Sequence, residues 1–145
     1  MLYYPNQKTE VVIGTKSGNA RTPVALTNAY DNAATTKIIE CGGYSKLNLD
    51  ILYTMGATET SNTIEVRVES SPDKVNWYRI PNEAVSGAVS TLTAREFTFV
   101  GTNAAAATVG IFLDIAYKNL RISVKESGVA TNAGTIYVES TLSGQ

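Results

Sequence analysis

The residues that most often do chemistry in proteins are nearly absent from this sequence. It contains no histidine and a single cysteine, Cys41. Without histidine, no imidazole can activate a serine or cysteine nucleophile, and zinc cannot be held by cysteine and histidine together. With one cysteine, no disulfide can form within the chain, which mildly favours folding in a reducing compartment.

Two aspartates could act as a pair of catalytic carboxylates. Asp50 and Asp114 lie in segments that we expect to be neighbouring strands, and a glycosidase needs two carboxyl groups at a defined separation. The stretches around them lack the aromatic and polar density of a sugar cleft, so we interpret both as solvent-facing strand residues. The sequence therefore predicts no enzyme and no catalytic residues.

Loop carboxylates could hold calcium, through Asp31 with Asn32 or through Glu59 with Asp73. Calcium prefers several oxygen ligands, and the sequence has no spaced acidic loop of the EF-hand kind. The two glycines at positions 42–43 are not followed by Lys-Ser or Lys-Thr, so a phosphate-binding loop is not predicted either. No metal site and no cofactor are predicted.

Aromatic residues suggest a different function, carbohydrate binding. Trp77 and Tyr78 are adjacent, and sugars stack on exposed rings. The alternative, which the sequence favours, is that the lone tryptophan anchors the core of a β-sandwich. The tyrosines of the predicted strands outside this pair are spread along the chain, which suits core edges and subunit contacts; they are Tyr30, Tyr44, Tyr53, Tyr117 and Tyr137.

The charges of the chain are few and scattered. Charged residues make up 17% of the 145 residues, and the formal net charge is −1. No cluster of lysine and arginine could neutralise a row of phosphates, so neither nucleic acid nor a membrane is a predicted partner. The sequence shows no signal peptide and no transmembrane stretch, so we expect synthesis and folding in a cytoplasm.

The elements that must position these residues are short strands. Apolar and polar residues alternate over 45–54, 63–70 and 120–125, which is the pattern of strands with one buried face. Residues 136–139 alternate as well, and the small-residue break at 128–134 predicts that they neighbour the preceding strand in an antiparallel sheet. About nine or ten short strands and no convincing helix predict an all-β fold, an antiparallel β-sandwich that is jelly-roll-like.

We predict a single domain over residues 1–145, with residues 1–8 as a possible N-terminal arm. Leu2, Tyr3 and Tyr4 would form a partner interface, because exposed aromatic residues are favoured in subunit contacts.

The middle of the chain combines a clear turn with an ambiguous stretch. Residues 71–74 read Ser-Pro-Asp-Lys, in which proline presets the second position and the serine and aspartate side chains can bond neighbouring backbone. A strand over 75–80, ended by Pro81, is predicted to follow. Residues 82–93 are rich in small residues and leave their structure open.

The turn carries a resemblance to known proteins. Residues 68–78 resemble the "strand, Ser-x-Asp-Gly, Trp" turn of discoidin-like jelly rolls, and residues 117–122 resemble the "aromatic, x, x, aliphatic, Arg, aliphatic" strand near the end of those domains. The sequence departs from the pattern by placing Lys74 where glycine is usual. It also lacks the ligand-loop aromatics and cysteines of the sugar- and lipid-binding members.

The same turn and strand, with a composition rich in Thr, Ala, Ser and Gly, are similar to small β-sandwich virion proteins of tailed bacteriophages. The resemblance implies a non-enzymatic capsid decoration (cement) protein. Such a protein would bind the major capsid protein or other virion proteins as a homo-oligomer, with a trimer favoured, on the outer capsid surface of the virion. The alternatives are a carbohydrate-binding module and a tail or neck component.

Overall fold

The computed structural model describes residues 6–144 except positions 31, 58, 60, 61, 80, 95, 101–105, 129 and 130. Among these residues no helix occurs, and so none that could span a membrane. In chain order, the described strands are β1 (Lys8–Ile13), β2 (Thr15–Ser17), β3 (Ala20–Thr22), β4 (Val24–Ala25), β5 (Thr36–Glu40), β6 (Lys46–Thr54), β7 (Thr63–Ser71), β8 (Tyr78–Arg79), β9 (Pro81–Ser86), β10 (Val89–Ala94), β11 (Glu96–Val100), β12 (Ala106–Asp114), β13 (Asn119–Ser127) and β14 (Thr135–Ser143).

Two antiparallel sheets pack face to face. The first sheet has the order β1-β14-β6-β12, and the second has the order β11-β7-β13-β5. β4 extends the first sheet beside β14, and β8 extends the second beside β7. The long strands alternate between the two sheets along the chain, apart from β7 and β11, which pair directly. This connectivity is that of a jelly roll, so the predicted fold class is confirmed.

Alternation along each strand sends one set of side chains into a shared core. In β6 the inward residues Leu47, Leu49, Ile51 and Tyr53 are at most 4% exposed, and β7 and β13 contribute equally buried aliphatic residues. Burying an aliphatic side chain of this size stabilises the fold by about 1.5–3 kcal/mol. Because the core decides which side of each strand is buried, it also decides which residues reach the outer faces.

The prediction that the strands around residues 128–134 are sheet neighbours is wrong. β13 belongs to the second sheet, whereas β14 pairs with β1 and β6 in the first. The connection crosses the end of the sandwich, where the buried carboxylate of Glu126 accepts hydrogen bonds from Asn62 Nδ2 (3.0 Å) and the Gly134 amide (2.7 Å). A period of two shows that a strand is half-buried, but it does not say to which sheet the strand belongs.

One further segment differs from expectation, and the structure describes another that the sequence left open. The strand predicted over 75–80 is reduced to β8, because the Asp73 carboxylate accepts hydrogen bonds from the amides of Val75 (2.9 Å) and Asn76 (2.8 Å) and holds them in the turn. Residues 82–93, left open by the sequence, lie within the β9–β10 hairpin. Short strands of this kind raise the count to fourteen, above the nine or ten predicted.

Lys74 occupies the position where the resembled turn has glycine. Its φ is +62°, in the left-handed region that glycine enters freely and other residues enter at a cost of about 1–2 kcal/mol. Its ammonium group contacts the Glu40 carboxylate. The departure from the pattern is therefore one of residue type and not of backbone conformation.

Candidate functional site

The two sheets present two outer faces, which use their polar residues differently. The open face is the outer face of the first sheet, and its outward residues on β6, β12 and β14 are Lys46, Asn48, Asp50, Leu52, Thr108, Gly110, Phe112, Asp114, Tyr137, Glu139 and Thr141. The paired face is the outer face of the second sheet, and its charged residues on β7 and β13 are Glu65, Arg67, Glu69, Arg121 and Lys125.

Phe112 is the most exposed aromatic residue of the open face, with 76% of its surface accessible. It lies on β12 between the inward residues Ile111 and Leu113, so alternation turns its ring to solvent. The ring folds back over Gly110, because a Cβ atom at position 110 would lie 3.5 Å from Phe112 Cε2. Gly110 is directly opposite Asp50 on β6. The exposed ring therefore lies over the residue that faces this carboxylate across the strand pair.

Two adjoining hollows lie along β6 on the open face. One encloses about 310 Å³, and Asp50, Gly110 and Glu139 are among the residues that line it. The other encloses about 600 Å³ and is lined at the next row by Asn48 and Phe112. Because the Phe112 ring lies over Gly110, it stands where the two hollows meet. We call the two hollows together the groove; Phe112 lines the second hollow, and its ring lies over Gly110, which lines the first.

The β2–β3 hairpin closes one side of this groove. Arg21 Cζ lies 5.5 Å from the centroid of the Tyr137 ring, and Lys16 Nζ lies 3.1 Å from Glu139 Oε1. The Tyr137 hydroxyl donates a hydrogen bond to Glu139 Oε1 at 2.6 Å. This hydrogen bond is the largest cause that lowers the pKa of Glu139, and the two hairpin cations lower it further. Burial, followed by the Glu139 carboxylate, raises the pKa of Tyr137 to about 12. Glu139 is thus held as an anion.

Asp50 differs from Glu139 in forming no ion pair with any of the described residues. Its Oδ1 atom accepts a hydrogen bond from Asn48 Nδ2 at 3.0 Å. Lys46, on the same strand, pairs with Asp114 instead. The amide oxygen of Asn48 is buried and has no hydrogen-bond partner within the described protein. The middle of the groove therefore keeps a carboxylate whose charge is not neutralised.

On the paired face, by contrast, arginine and glutamate are matched. Arg121 on β13 lies opposite Glu69 on β7, and its Nε and Nη2 atoms donate to Glu69 Oε1 at 3.1 and 2.9 Å. The Cζ atom of Arg121 lies 4.5 Å from the centroid of the Trp77 ring. The cation is therefore shared between a carboxylate and an aromatic ring.

The Tyr30 ring lies beside the Lys125–Glu65 pair, as the Trp77 ring lies beside the Arg121–Glu69 pair. Lys125 lies opposite Glu65, with its Nζ atom 3.1 Å from Glu65 Oε2 and 4.8 Å from the centroid of the Tyr30 ring. Arg67 Cζ also lies over this ring, at 4.0 Å. Burial raises the pKa of Glu65, but hydrogen bonds, first that from Ser127 and then that from the lysine, outweigh this effect and lower it. The paired face is thus neutralised from within the chain.

The two aspartates considered as a catalytic pair lie on neighbouring strands, as predicted, but they are not close together. Asp50 faces Gly110 across the β6–β12 pair, whereas Asp114 faces Lys46. Four residues of β12 separate the two rows, which corresponds to about 13 Å along the strand. Both carboxylates are exposed, which confirms the interpretation that they face solvent.

The loop carboxylates considered as calcium ligands are used by the protein itself. Glu59 accepts hydrogen bonds from the amides of Thr131 (2.6 Å) and Asn132 (2.9 Å), and Asp73 closes the turn after β7. These two carboxylates lie at opposite ends of β7. Asp31 is outside the described residues, and no cluster of three or more metal-ligating side chains occurs among the described ones.

Trp77 is not the core anchor that the sequence favoured. It lies half-buried on the paired face, where Arg121 covers its ring. Tyr78 is 54% exposed, and its ring centroid lies 6.4 Å from that of Tyr117 at the loop end of the sandwich. The hypothesis that Trp77 and Tyr78 form one sugar platform is therefore not supported, since the two rings lie in different surroundings.

The remaining residues considered from the sequence are the lone cysteine and the three N-terminal residues of the predicted interface. Cys41 is buried, and burial raises the pKa of its thiol to about 11, so little thiolate is present at neutral pH. Leu2, Tyr3 and Tyr4 lie outside the described residues, and their role as a partner interface stays a prediction.

Sequence reasoning missed Phe112, although a signal for it exists. Ile111 and Leu113 share one phase of the alternation in β12, and Phe112 falls in the other phase with Gly110 and Asp114. An aromatic residue in the polar phase of a strand is expected to face solvent. The apolar run that surrounds it conceals this phase until the register is known.

No protein-family model matches the chain, and no curated protein matches its sequence. Among solved structures, the CBM22-1–GH10 modules of the Clostridium thermocellum endo-1,4-beta-D-xylanase 10B, complexed with xylohexaose, are 11% identical with a TM-score of 0.49. That alignment covers 96% of this chain and 25% of the xylanase chain, so this chain spans about a quarter of that protein. A CBM4 structure is 15% identical with a TM-score of 0.46, covering 92% of this chain and 76% of the other. A disulfide-linked pilus of Bacillus endospore appendages is 10% identical with a TM-score of 0.39, covering 94% of this chain and 85% of the other.

Proposed function

We propose that this chain is a non-enzymatic carbohydrate-binding β-sandwich and that its open face holds the glycan. The observation that carries the proposal is the exposed Phe112 ring, which lies over Gly110 at the middle of a polar groove. A pyranose ring has faces of C–H groups, which pack on an aromatic ring, and a rim of hydroxyl groups, which need hydrogen-bond partners. Asp50 and Asn48 supply such partners beside the ring.

The size of the groove supports a ligand of more than one sugar unit. Its two hollows, of about 310 and 600 Å³, fall in the range of small-molecule sites. They adjoin along β6, so a linear glycan would follow the strand direction and pass over Phe112. The β2–β3 hairpin would bound the groove at the side of Tyr137.

The carboxylates of the groove favour binding over hydrolysis. A glycosidase needs one carboxyl group that donates a proton and a second that acts as base or nucleophile. Glu139, the cross-strand neighbour of Asp50, has a lowered pKa because Tyr137, Lys16 and Arg21 stabilise its anion. Such a group is a poor proton donor near neutral pH. A non-enzymatic role is therefore the simpler proposal.

The test compares Phe112→Ala with Tyr78→Ala, a variant that removes an exposed ring elsewhere on the molecule. Affinity electrophoresis through gels that contain soluble xylan, β-glucan or starch would measure retention of each variant. We expect the wild type and Tyr78→Ala to be retained by at least one polysaccharide and Phe112→Ala to lose about tenfold in affinity. Thermal unfolding would confirm that both variants fold. Retention that depends on Tyr78, or no retention of the wild type, would overturn the proposal.

A second candidate is a virion structural role, which the sheet edges favour. β12 ends the first sheet with nine residues, of which Asp114 is the charged one, and β11 ends the second sheet with Val100 68% exposed. Such edges can pair with another chain. On this proposal the chain is a capsid decoration protein, or a tail or neck component. It would be made in the host cytoplasm and would bind the major capsid protein on the outer capsid surface as a homotrimer, without nucleic acid or membrane.

The virion proposal has its own test. Light scattering across a dilution series would give the native mass, and co-sedimentation with purified capsids would measure binding. We expect a dilution-resistant trimer that sediments with capsids. A monomer that stays in the supernatant would overturn this second candidate and leave the carbohydrate proposal untouched.

A further inference from the structure

Three times in the described chain, an aromatic ring, a cation and a carboxylate form one compact trio. On the paired face, Arg121 lies between Trp77 and Glu69, and Lys125 lies between Tyr30 and Glu65. At the margin of the open face, Arg21 lies over Tyr137 and 3.8 Å from Glu139. In the two trios of the paired face, cation and carboxylate are directly opposite each other on β13 and β7.

A fourth place in the molecule has the ring and the carboxylate but no described cation. Phe112 lies over Gly110, and Gly110 is directly opposite Asp50. On the paired face, the β13 position opposite each glutamate holds arginine or lysine. On the open face, the β12 position opposite Asp50 holds glycine.

The lysines and the arginine described around this face are already engaged. Lys46 pairs with Asp114 at the end of the strand pair, and Lys16 and Arg21 contact Glu139. A ring face and an exposed carboxylate both attract positive charge. Arg21 lines the same hollow as Asp50 but forms its ion pair with Glu139, so no described cation pairs with Asp50. The glycine carries no side chain of its own, and the atoms nearest its Cβ position belong to the Phe112 ring and to the Asn48 amide.

We propose that the ligand supplies the missing cation, as the free amine of a hexosamine in the glycan. This inference rests on the proposed carbohydrate-binding function and names the sugar class. The ammonium group would sit between the Phe112 ring and the Asp50 carboxylate, in the way that Arg121 sits between Trp77 and Glu69. An N-acetylated amine is neutral and gains neither contact. A uronate or a sulfated sugar would be repelled by the unneutralised carboxylate.

The experiment compares three tetrasaccharides of equal length, built from glucosamine, N-acetylglucosamine or glucose. Isothermal titration calorimetry near pH 6, where the amine is charged, would give each affinity for the wild type. We expect the glucosamine oligomer to bind about five- to tenfold more tightly than either neutral oligomer, because one cation–π contact and one exposed ion pair are gained. The difference should shrink at high salt.

Two carboxylate variants separate the proposed contact from the general charge of the face. Asp50→Asn should abolish the preference for the amino sugar, so that the glucosamine and glucose oligomers bind this variant with equal affinity. Asp114→Asn, a matched control on the same face whose carboxylate is paired with Lys46, should keep the preference. Both positions are exposed, so folding is expected to be unaffected, and thermal unfolding checks this.

The outcomes distinguish a failure of the amino-sugar inference from a failure of the carbohydrate-binding proposal. Equal binding of the three oligomers, with no effect of Asp50→Asn, would overturn the amino-sugar inference and leave carbohydrate binding in place. No binding of any oligomer or of the polysaccharides above would overturn both. Tighter binding of an oligolysine peptide than of the glucosamine oligomer would also overturn the inference, because the cation would then come from a protein.

Discussion

The two outer faces of the sandwich are built from the same strand geometry and differ in where their positive charge comes from. On the paired face, β13 places Arg121 and Lys125 opposite the glutamates of β7, and aromatic rings cover the resulting pairs. On the open face, β12 places Gly110 opposite Asp50, and the Phe112 ring lies beside a carboxylate without a cation. One face therefore matches its charges within the chain, and the other is the face that we propose binds a ligand.

The largest expected effect tests the stabilising role of the paired face. Arg121→Ala would remove the cation from Glu69, which is 9% exposed, and from the face of Trp77. A poorly solvated carboxylate left without its partner costs a substantial part of its desolvation energy, so we expect a loss of about 2 kcal/mol in the free energy of unfolding. Urea denaturation followed by tryptophan fluorescence would measure it.

The matched control for that prediction lies on the open face. Lys46→Ala removes the cation of the Lys46–Asp114 pair, in which both side chains are more than 60% exposed. An ion pair this exposed contributes little, so the free energy of unfolding should change by less than about 0.5 kcal/mol. If the two variants lost the same stability, the distinction between the faces would be wrong.

A smaller effect concerns pH and the hairpin that borders the open face. The pKa of Tyr137 is raised to about 12, so above pH 10 the unfolded chain loses this proton while the folded chain retains it. Stability that is fully present below pH 10 is therefore lost as the pH rises toward 12, and we expect a loss of about 1 kcal/mol. Unfolding at pH 9 and 11 would show the loss in the wild type and a smaller one in Tyr137→Phe.

Glu139, the hydrogen-bond partner of Tyr137, makes stability depend on pH in the opposite direction. The lowered pKa of Glu139 means that the unfolded chain takes up a proton first as the pH falls below the ordinary value near 4.5. Stability is thus present above that value and is lost as the pH falls through the folded-state pKa. Glu139→Gln should flatten this acid limb. An unchanged acid limb in this variant would show that the contacts of Glu139 with Tyr137, Lys16 and Arg21 contribute nothing measurable.

The sequence was a good guide to which strands exist and a poor guide to what lies across from them. The period of two in β6, β7 and β13 predicted those strands and their buried faces, because burial of one face imposes that period. It could not predict that β13 and β14 lie in different sheets. Sheet membership depends on the path of the loops, which local periodicity does not record.

The candidate site could not be predicted without the cross-strand register. Asp50 and Phe112 are far apart in the sequence. Only the β6–β12 register shows that Gly110, two residues before Phe112, lies opposite Asp50. Trp77 was misread for the same reason, since its partner Arg121 lies on β13, far from Trp77 in the sequence. A residue's type suggests a set of roles, and its cross-strand neighbour selects among them.

A small expected change in stability gives the sharpest test of the comparison. Gly110→Lys would place a cation opposite Asp50, as Arg121 stands opposite Glu69. The backbone at this glycine does not have a positive φ, and a Cβ atom would be in ordinary contact with Phe112 at 3.5 Å, so a β-carbon fits there and the longer side chain would pass beside the ring. We expect a gain of about 0.5 kcal/mol from the added side chain and ion pair.

The same variant should close the open face to its ligand. Once Asp50 is neutralised from within the chain, the preference for a glucosamine oligomer should disappear, whereas Gly110→Ala should gain similar stability and keep the preference. Urea denaturation and the calorimetric titration together would distinguish these outcomes. If Gly110→Lys still preferred the amino sugar, then the cation would be bound elsewhere, and the absence of a basic residue opposite Asp50 would have no functional meaning.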